Sequence, residues 1–317
     1  MSCLLPMSSR KPKPCLFVLD VGHGNAAVLH DDGGTVIFDT GRKGTQISRH
    51  LASAGENRIE AMMLSHSDAD HIGGAVTLLM DSKLTIGEVL LNPDPTKNSA
   101  VFEQLCYALA EAIERSGTRV ERRLATSTSL VRKGCRIDIL HPPLVAALRG
   151  VGGDSKAGHG HTSNSLSAAI RVSHGSNSSV LLAGDIEFDC VDGWKSLSVS
   201  PSATVLVFPH HGGLPGTASE SDAGLFAYEL VSLVRPTTVI FSNHRTKHNN
   251  PRDKVVSAIT KAGPGIRCAC TQLPERYKSV VQSEKCWELH RSSSGVVEGT
   301  IKIELGVKDV FVGFEAS

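Results

Sequence analysis

The sequence predicts an α/β fold, on three observations. Short apolar runs with β character alternate with amphipathic, helix-compatible segments along most of the 317 residues. The hydrophobic share is 40%, ordinary for a globular protein with a real core. The densest group of chemistry-bearing side chains, in LSHSDADHIGG at 64–74, falls between a strand-like run and an apolar helix-compatible one.

The elements follow in order. Residues 1–14, rich in Pro and Lys, read as a flexible N-terminal tail. Residues 15–21 form a buried strand, and Gly22-His23-Gly24-Asn25 turns it. Residues 26–30 and 35–39 read as a hairpin across Asp31-Asp32-Gly33-Gly34. A helix is expected over 45–54, ended by Gly55, and strands over 59–64 and 86–91. Residues 72–80 continue the ligand-rich loop as a helix, and 92–98, with two Pro, form a loop at the mouth of the site. An amphipathic helix over 101–115 stops at Gly117, and 135–140 is a strand. The stretch 151–163 is too polar for the core and reads as an active-site loop. A strand enters after it, 180–183 runs into Gly184-Asp185, and 205–208 precedes Pro209-His210-His211-Gly212-Gly213. Helices over 225–234 and 253–261 flank a strand over 238–242 and a loop over 243–251, and 299–305 is a closing strand.

Length allows one large α/β domain or two small ones, and no internal repeat or linker divides the chain. It is therefore expected to hold one domain at 15–271 with a C-terminal extension at 272–317. Net charge is +1, so no global basic field advertises nucleic-acid binding, while a local basic groove stays open. No apolar run approaches the roughly 18–20 residues of a membrane span. The N-terminal stretch places its apolar run before its charges, the wrong order for a signal peptide. Eight scattered Cys fit reduced thiols better than a disulfide framework. The expectation is a cytoplasmic protein acting away from membranes.

His66, Asp68, Asp70 and His71 put four potential metal ligands into six residues. Residues i and i+2 of an extended loop point the same way, so His66 and Asp68 can share one ion. Asp70 and His71, where the chain turns into the helix, can reach a second ion beside it. Gly73 and Gly74 are expected to let the backbone pass close to the metals. Imidazole with carboxylate suits zinc, manganese or iron, and an open position suits hydrolysis. The plainer alternative is a polar loop with Asp68 or Asp70 capping the helix.

This stretch resembles the HxHxDH signature of the metallo-β-lactamase superfamily, with Asp68 in place of the second His. The variant HxDxDHxGG looks like the hydrolase domain of ComEC-type competence proteins and its soluble, stand-alone relatives. Their entry pattern, LDVGQGDA then IDTG, resembles LDVGHGNAAVL and VIFDTG here, with His23 for Gln and Asn25 for Asp. FDTG, HSDADHIGG, AGDIE and PHHGG occur in that order, and the resemblance runs over about 15–271. It implies an αββα four-layer sandwich with metal ligands on loops at one edge. It also implies two divalent ions, zinc or manganese, with two carboxylates in the loop favouring the latter.

Carried onto this chain, the resemblance makes Asp39 a support of the metal loop, acting through hydrogen bonds. Asp185, at the end of LLAGDIE, becomes a bridging ligand, with N-capping of the next helix as the alternative. PHHGG resembles the family's PHHGS, implying His211 as a ligand of the second ion and His210 as an acid–base or supporting group. Gly160-His161-Thr162 resembles the superfamily's GHT motif, which would make His161 a ligand of the first ion. Asn164 and Ser165 resemble the ComEC-type NxS segment, which needs no such His, and both readings stay open. NHRTKHNNP at 243–251 resembles the family's S-x-N-x-x-HP region, and would bring His248 to the scissile phosphate or leaving group. A surface His is the alternative there.

The implied activity is metal-dependent hydrolysis of a phosphodiester, with DNA or RNA as substrate and Asp70 taking or orienting the water proton. The alternatives are hydrolysis of another ester (a lactone, a thioester or a small phosphodiester) and a non-catalytic sensing or scaffold module. Separately, Cys268, Cys270, Cys286 and His290 form a C-x-C…C-x3-H set that could hold a structural zinc. Separate reduced thiols in strands are the alternative.

Overall fold

Strands β1 (Cys15–Val18), β2 (Ala26–Asp31), β3 (Gly34–Thr40), β4 (Arg58–Leu64), β5 (Thr85–Leu91) and β6 (Arg119–Glu121) lie in one sheet. A second holds β7 (Arg136–His141), β8 (Ala169–His174), β9 (Ser178–Leu182), β10 (Val205–Val207), β11 (Thr238–Phe241) and β12 (Arg267–Cys270). Strands β13 (Ile301–Glu304) and β14 (Phe311–Phe314) return to the first. The orders are β14-β13-β1-β2-β3-β4-β5-β6 and β12-β11-β10-β9-β8-β7. The computed structural model that gives them describes residues 13–128, 130, 132–154, 160–176, 178–216, 219–291, 298–306 and 310–315. The expected N-terminal tail lies outside these up to residue 12, as does part of the 151–163 loop.

Alternation along the strands sets the layers. Val36 and Phe38 of β3, with Ala61 and Met63 of β4, face Val180, Leu182, Val205 and Val207 of the second sheet. Ile37, Met62 and Leu64 point the other way, onto α1 (Thr45–Ala54), α2 (Ala69–Met80) and α3 (Ala100–Ser116). Of the remaining helices, α4 (Leu144–Arg149) buries none of its residues. Helices α5 (Phe188–Ser196), α6 (Glu220–Val234), α7 (Asp253–Ala262) and α8 (Glu275–Lys278) cover the outer face of the second sheet. The result is a four-layer αββα sandwich.

Local chemistry fixes the helix ends. Ser99 Oγ accepts from the Phe102 amide at the start of α3, and Ser219 and Asp222 form a reciprocal capping box on α6. Such caps contribute about 1 kcal/mol each. Gly55 and Gly117, both left-handed, close α1 and α3.

One difference from the sequence reading has a physical cause. Strand β1 stops at Val18, because Asp20 Oδ1 accepts from the Gly22 amide and turns the chain early. The segment after residue 271 is woven into both layers: β13 pairs with β1 from Cys15↔Glu304 to Val18↔Ile301. Trp287, fully buried, joins the helix-side core of the second sheet.

Candidate metal centre

The site sits where parallel strands of both sheets end. Strands β3 and β4 run parallel in the first sheet, β9 and β10 in the second. Asp39 lies at the end of β3, and β4 delivers Ser65–Asp68, with Asp70 and His71 in the first turn of α2. Asp185 follows β9, and His210 and His211 follow β10. Asp39, His210 and His211 have φ of 51°, 51° and 57°. Left-handed backbone at non-glycine residues costs about 1–3 kcal/mol each and persists only where the surroundings enforce it.

Gly73 and Gly74 serve a different contact from the one expected. A Cβ on Gly74 would lie 2.3 Å from Thr40 O, and one on Gly73 2.5 Å from Arg42 O. The two glycines let α2 press against the turn after β3, where the Gly74 amide donates to Gly41 O at 2.8 Å.

Two groups of donor atoms converge. His66, His71 and Asp185 form the first, all buried; His23, Asp70 and His211 form the second. His71 Nε2 is 3.4 Å from Asp185 Oδ1, and His66 Nε2 is 3.8 Å from Asp185 Oδ2. His23 Nε2 and His211 Nε2 lie 3.3 and 3.5 Å from Asp70 Oδ2. The groups adjoin, with the His71 and His211 rings 5.5 Å apart between centroids.

The separations are long for hydrogen bonds but suit ligands of a shared ion. Donors about 2.0–2.2 Å from one ion at tetrahedral angles stand about 3.3–3.6 Å from each other. Nε2 of His66, His71 and His211, the atoms that face the carboxylates of the two groups, are buried without a hydrogen-bond partner. Orphaned buried nitrogens cost about 1–3 kcal/mol each, which bound cations would remove. The donor set therefore fits divalent ions.

Outer contacts aim these donors. His71 Nδ1 donates to Asp39 Oδ2 at 2.8 Å, leaving the Nε2 lone pair toward Asp185. Asp39 also accepts from the Ser65 amide at 2.7 Å and from Ser65 Oγ at 2.8 Å. Ser65 Oγ is 3.0 Å from His66 Nδ1, and Ser167 Oγ is 3.3 Å from the same atom. Ser167 Oγ also accepts from the Asp185 amide at 2.9 Å, tying both sides of the first group together.

Burial and charge set the protonation states. Burial raises the Asp185 and Asp70 carboxyls, but neighbouring imidazoles outweigh it, chiefly His71 for Asp185 and His211 for Asp70. Both stay well below the usual carboxylate range. Burial lowers His71, and Asp185 with Asp39 overcompensates, raising it. His66 is lowered by burial and then by His71. Burial, with His211, pushes His23 down to about 3. The anionic carboxylates and the lowered imidazoles of His66 and His23 suit a cation, which at His71 would take the place of the Nε2 proton.

The other expected site residues are placed as follows. Asp68 stands at the N-cap position of α2, but its side chain makes no capping bond. It pairs instead with Lys97 and lies 3.6 Å from His66 Nε2, outside both groups. Asp185 does not cap α5, whose N-cap is Glu187; its Oδ1 accepts from the His210 amide at 3.1 Å. His210 Nδ1 is 3.5 Å from Asp185 Oδ2. His161 exchanges backbone hydrogen bonds with Gly152 and Gly153 and lies outside both groups. Asn164 opens a 3-10 turn and its carbonyl accepts from the Ser167 amide at 2.9 Å, which holds Ser167 at the site. His248 is exposed, and its ring stacks on His23 at 3.7 Å and 19°.

Cys268, Cys270, Cys286 and His290 do not gather: among the described residues, no three of their donor atoms lie within 4.8 Å of one another. Cys268 and Cys270 point from β12 into the apolar helix-side layer, where Cys286 also packs, and His290 Nε2 accepts from the Cys270 amide at 2.9 Å.

Four residues at the site escaped the sequence reading: His23, Ser65, Lys97 and Ser167. Only His23 carried a signal, as the departure from Gln in the entry pattern. Beside it opens a cleft of about 660 Å³ lined by His23, His248, Arg42, Lys43, Arg49 and Lys247.

The family model of the metallo-beta-lactamase superfamily matches residues 19–242. Among curated proteins, the chain is 30% identical over 215 residues to the uncharacterized protein YcaI of Escherichia coli, covering 64% of this chain and 23% of that protein. It is 27% identical over 241 residues to Recombination protein 2 of Haemophilus influenzae, covering 74% of this chain and 25% of that protein. The chain thus spans about a quarter of the length of these two relatives. Among solved structures, a long form RNase Z from yeast is similar at a TM-score of 0.47 and 12% identity, covering 89% of this chain and 45% of that one. A diphosphatase from the PhnP family gives 0.45 and 11%, covering 82% of this chain and 96% of that one.

Proposed function

The chain belongs to the metallo-beta-lactamase superfamily, and from that premise we propose that it is a phosphodiesterase cleaving nucleic acid at a centre of two divalent ions, zinc or manganese. The observation that carries the substrate class is the basic cleft. Arg42, Lys43, Arg49 and Lys247 line it, against the one carboxylate of Asp20, beside His248 and His23 of the second donor group. Net charge is only +1, so this is a local concentration of cations, suited to a polyanion passing the metal centre. The name of one relative, Recombination protein 2, supports the same reading.

When bound, divalent ions at such a centre make water acidic enough to supply a nucleophile near neutral pH and neutralise charge on an anionic substrate. The chain's residues do the rest. His66, His71 and Asp185 hold one ion; Asp70 and His211 serve the other. Asp39 keeps His71 in the tautomer that presents Nε2. Asp70 stays ionised and takes or orients the proton of the attacking water. His210, whose amide donates to Asp185 Oδ1, acts as the acid–base partner in this reading. His248, exposed at the cleft, meets the scissile phosphate or leaving group. Among the described residues no helix is long and apolar enough to cross a membrane. The free cysteines support action in the reducing cytoplasm.

The test is cleavage of single- and double-stranded DNA and RNA by chelator-stripped protein reloaded with zinc or manganese. Ion-dependent cleavage is expected. No cleavage with any ion, alongside opening of a lactone or thioester, would leave the metal centre standing and remove the substrate class.

A further inference from the structure

We infer that His23 is a protein ligand of the second ion, so that His23, Asp70 and His211 hold it together. This rests on the metal-centre reading above and adds a ligand that the superfamily signature does not contain.

The position of the ring carries the inference. His23 Nε2 and His211 Nε2 approach the same carboxylate oxygen, Asp70 Oδ2, at 3.3 and 3.5 Å. These are the separations of donors around one ion, about 3.3–3.6 Å. The ring is also held in place. The Asn25 amide donates to Asp70 O at 3.2 Å, and Ser242 Oγ donates to Gly24 O at 2.7 Å, so the turn bearing His23 is latched on both sides. Gly24, at φ 136°, passes so close to α2 that a Cβ there would lie 2.4 Å from Asp70 O. His248 stacks on one side of the ring at 3.7 Å, and His211 packs against it at 4.3 Å.

Two alternatives fit less well. A plain hydrogen bond to Asp70 would be shorter than 3.3 Å in so constrained a setting. A proton shuttle needs a ring free to turn between partners, whereas the His23 ring is packed against both His248 and His211. An imidazole fixed at this distance from a carboxylate and a second imidazole is a ligand by its chemistry. Gln, which stands here in the ComEC-type pattern, offers only a weaker amide oxygen. This chain should therefore hold its second ion more tightly than a Gln-bearing relative would.

The experiment compares wild type with His23→Ala, stripped with chelator and titrated with cobalt(II) and zinc. Bound equivalents are counted after gel filtration, and folding is checked by thermal melt in chelator. Wild type should retain two equivalents and His23→Ala one. Its second ion should bind more than about 100-fold more weakly, beyond the 10- to 100-fold typical of outer contacts. Free imidazole should restore the second cobalt(II) spectrum, which the loss of a merely structural ring would not allow. Two equally tight equivalents in the variant would overturn the role of His23 and leave the dinuclear centre intact. No retained metal in wild type would instead overturn the metal-centre reading. If the variant does not fold, zinc-loaded wild-type crystals decide. Anomalous density about 2.0–2.1 Å from His23 Nε2 supports the inference, and density at His211 with His23 beyond 3 Å overturns it.

Discussion

Asp39 and His71 are joined by a 2.8 Å hydrogen bond that decides which nitrogen of His71 faces Asp185. The carboxylate can only accept, so Nδ1 carries a proton and Nε2 is the nitrogen left to face a cation. Asp39→Asn tests this without backbone strain, because Asn tolerates the left-handed φ of 51°. Its amide can donate to Nδ1, moving the ring proton to Nε2 and blocking the ligand. The affinity for the first ion should fall about 10- to 100-fold, measured by competition with a chromophoric chelator. Unchanged affinity would mean that the Asp39–His71 bond does not orient the ligand.

Arg42 and Lys247 are exposed in the cleft and belong to neither donor group, so the proposed function gives them the task of holding the strand. Arg42→Ala and Lys247→Ala should weaken nucleic-acid binding and flatten its salt dependence. Each lost phosphate contact should reduce the slope of log K against log salt by about 0.7–0.9. A small chromogenic phosphodiester should be cleaved at the wild-type rate. Equal loss on both substrates would show that these residues serve the centre itself.

His141 offers a pH test away from the ions. It is 6% exposed, lies 2.9 Å through Nε2 from Ser165 O, and is pushed by burial from 6.5 down to about 4. Between those values the unfolded chain takes up a proton that the folded chain refuses. Stability is therefore full above pH 6.5 and falls as the pH drops toward 4, by at most about 3 kcal/mol. In chelator, wild type should lose more stability between pH 7.5 and 4.5 than His141→Asn. Identical losses would show that His141 titrates normally in the fold.

What the sequence made legible was local. Strand alternation at Val36–Ile37–Phe38 gives two apolar faces and so the layers. HSDADH places His66, Asp70 and His71 in one loop and helix turn, a span in which backbone geometry alone brings side chains together. The hidden parts depend on contacts between distant segments. His23 meets Asp70 only because the turn after β1 latches onto α2. Ser167 reaches His66 and Asp185 from the other sheet, with nothing in its neighbourhood to announce it. Strand β6 has three residues, and Gly193 breaks the pattern of α5, so neither shows a clear period. Conversely, Cys268, Cys270, Cys286 and His290 offer four metal-ligand residues in the sequence, but a period of two in β12 turns Cys268 and Cys270 into an apolar layer.

Asp70→Asn is the most direct test of metal-dependent phosphodiester hydrolysis at this centre. Asp70 contacts both His23 and His211 and carries the carboxylate to which the proposed function assigns the water proton. Asn keeps the size and removes the charge. Loss of a base alone costs about 100- to 10,000-fold, and weakening the second ion should add to it. The measurement is the rate of nucleic-acid cleavage by wild type and by Asp70→Asn, both shown to be folded by thermal melt in chelator. The account predicts cleavage by wild type and a loss of at least 100-fold in the variant. A folded variant that cleaves as fast as wild type would contradict it.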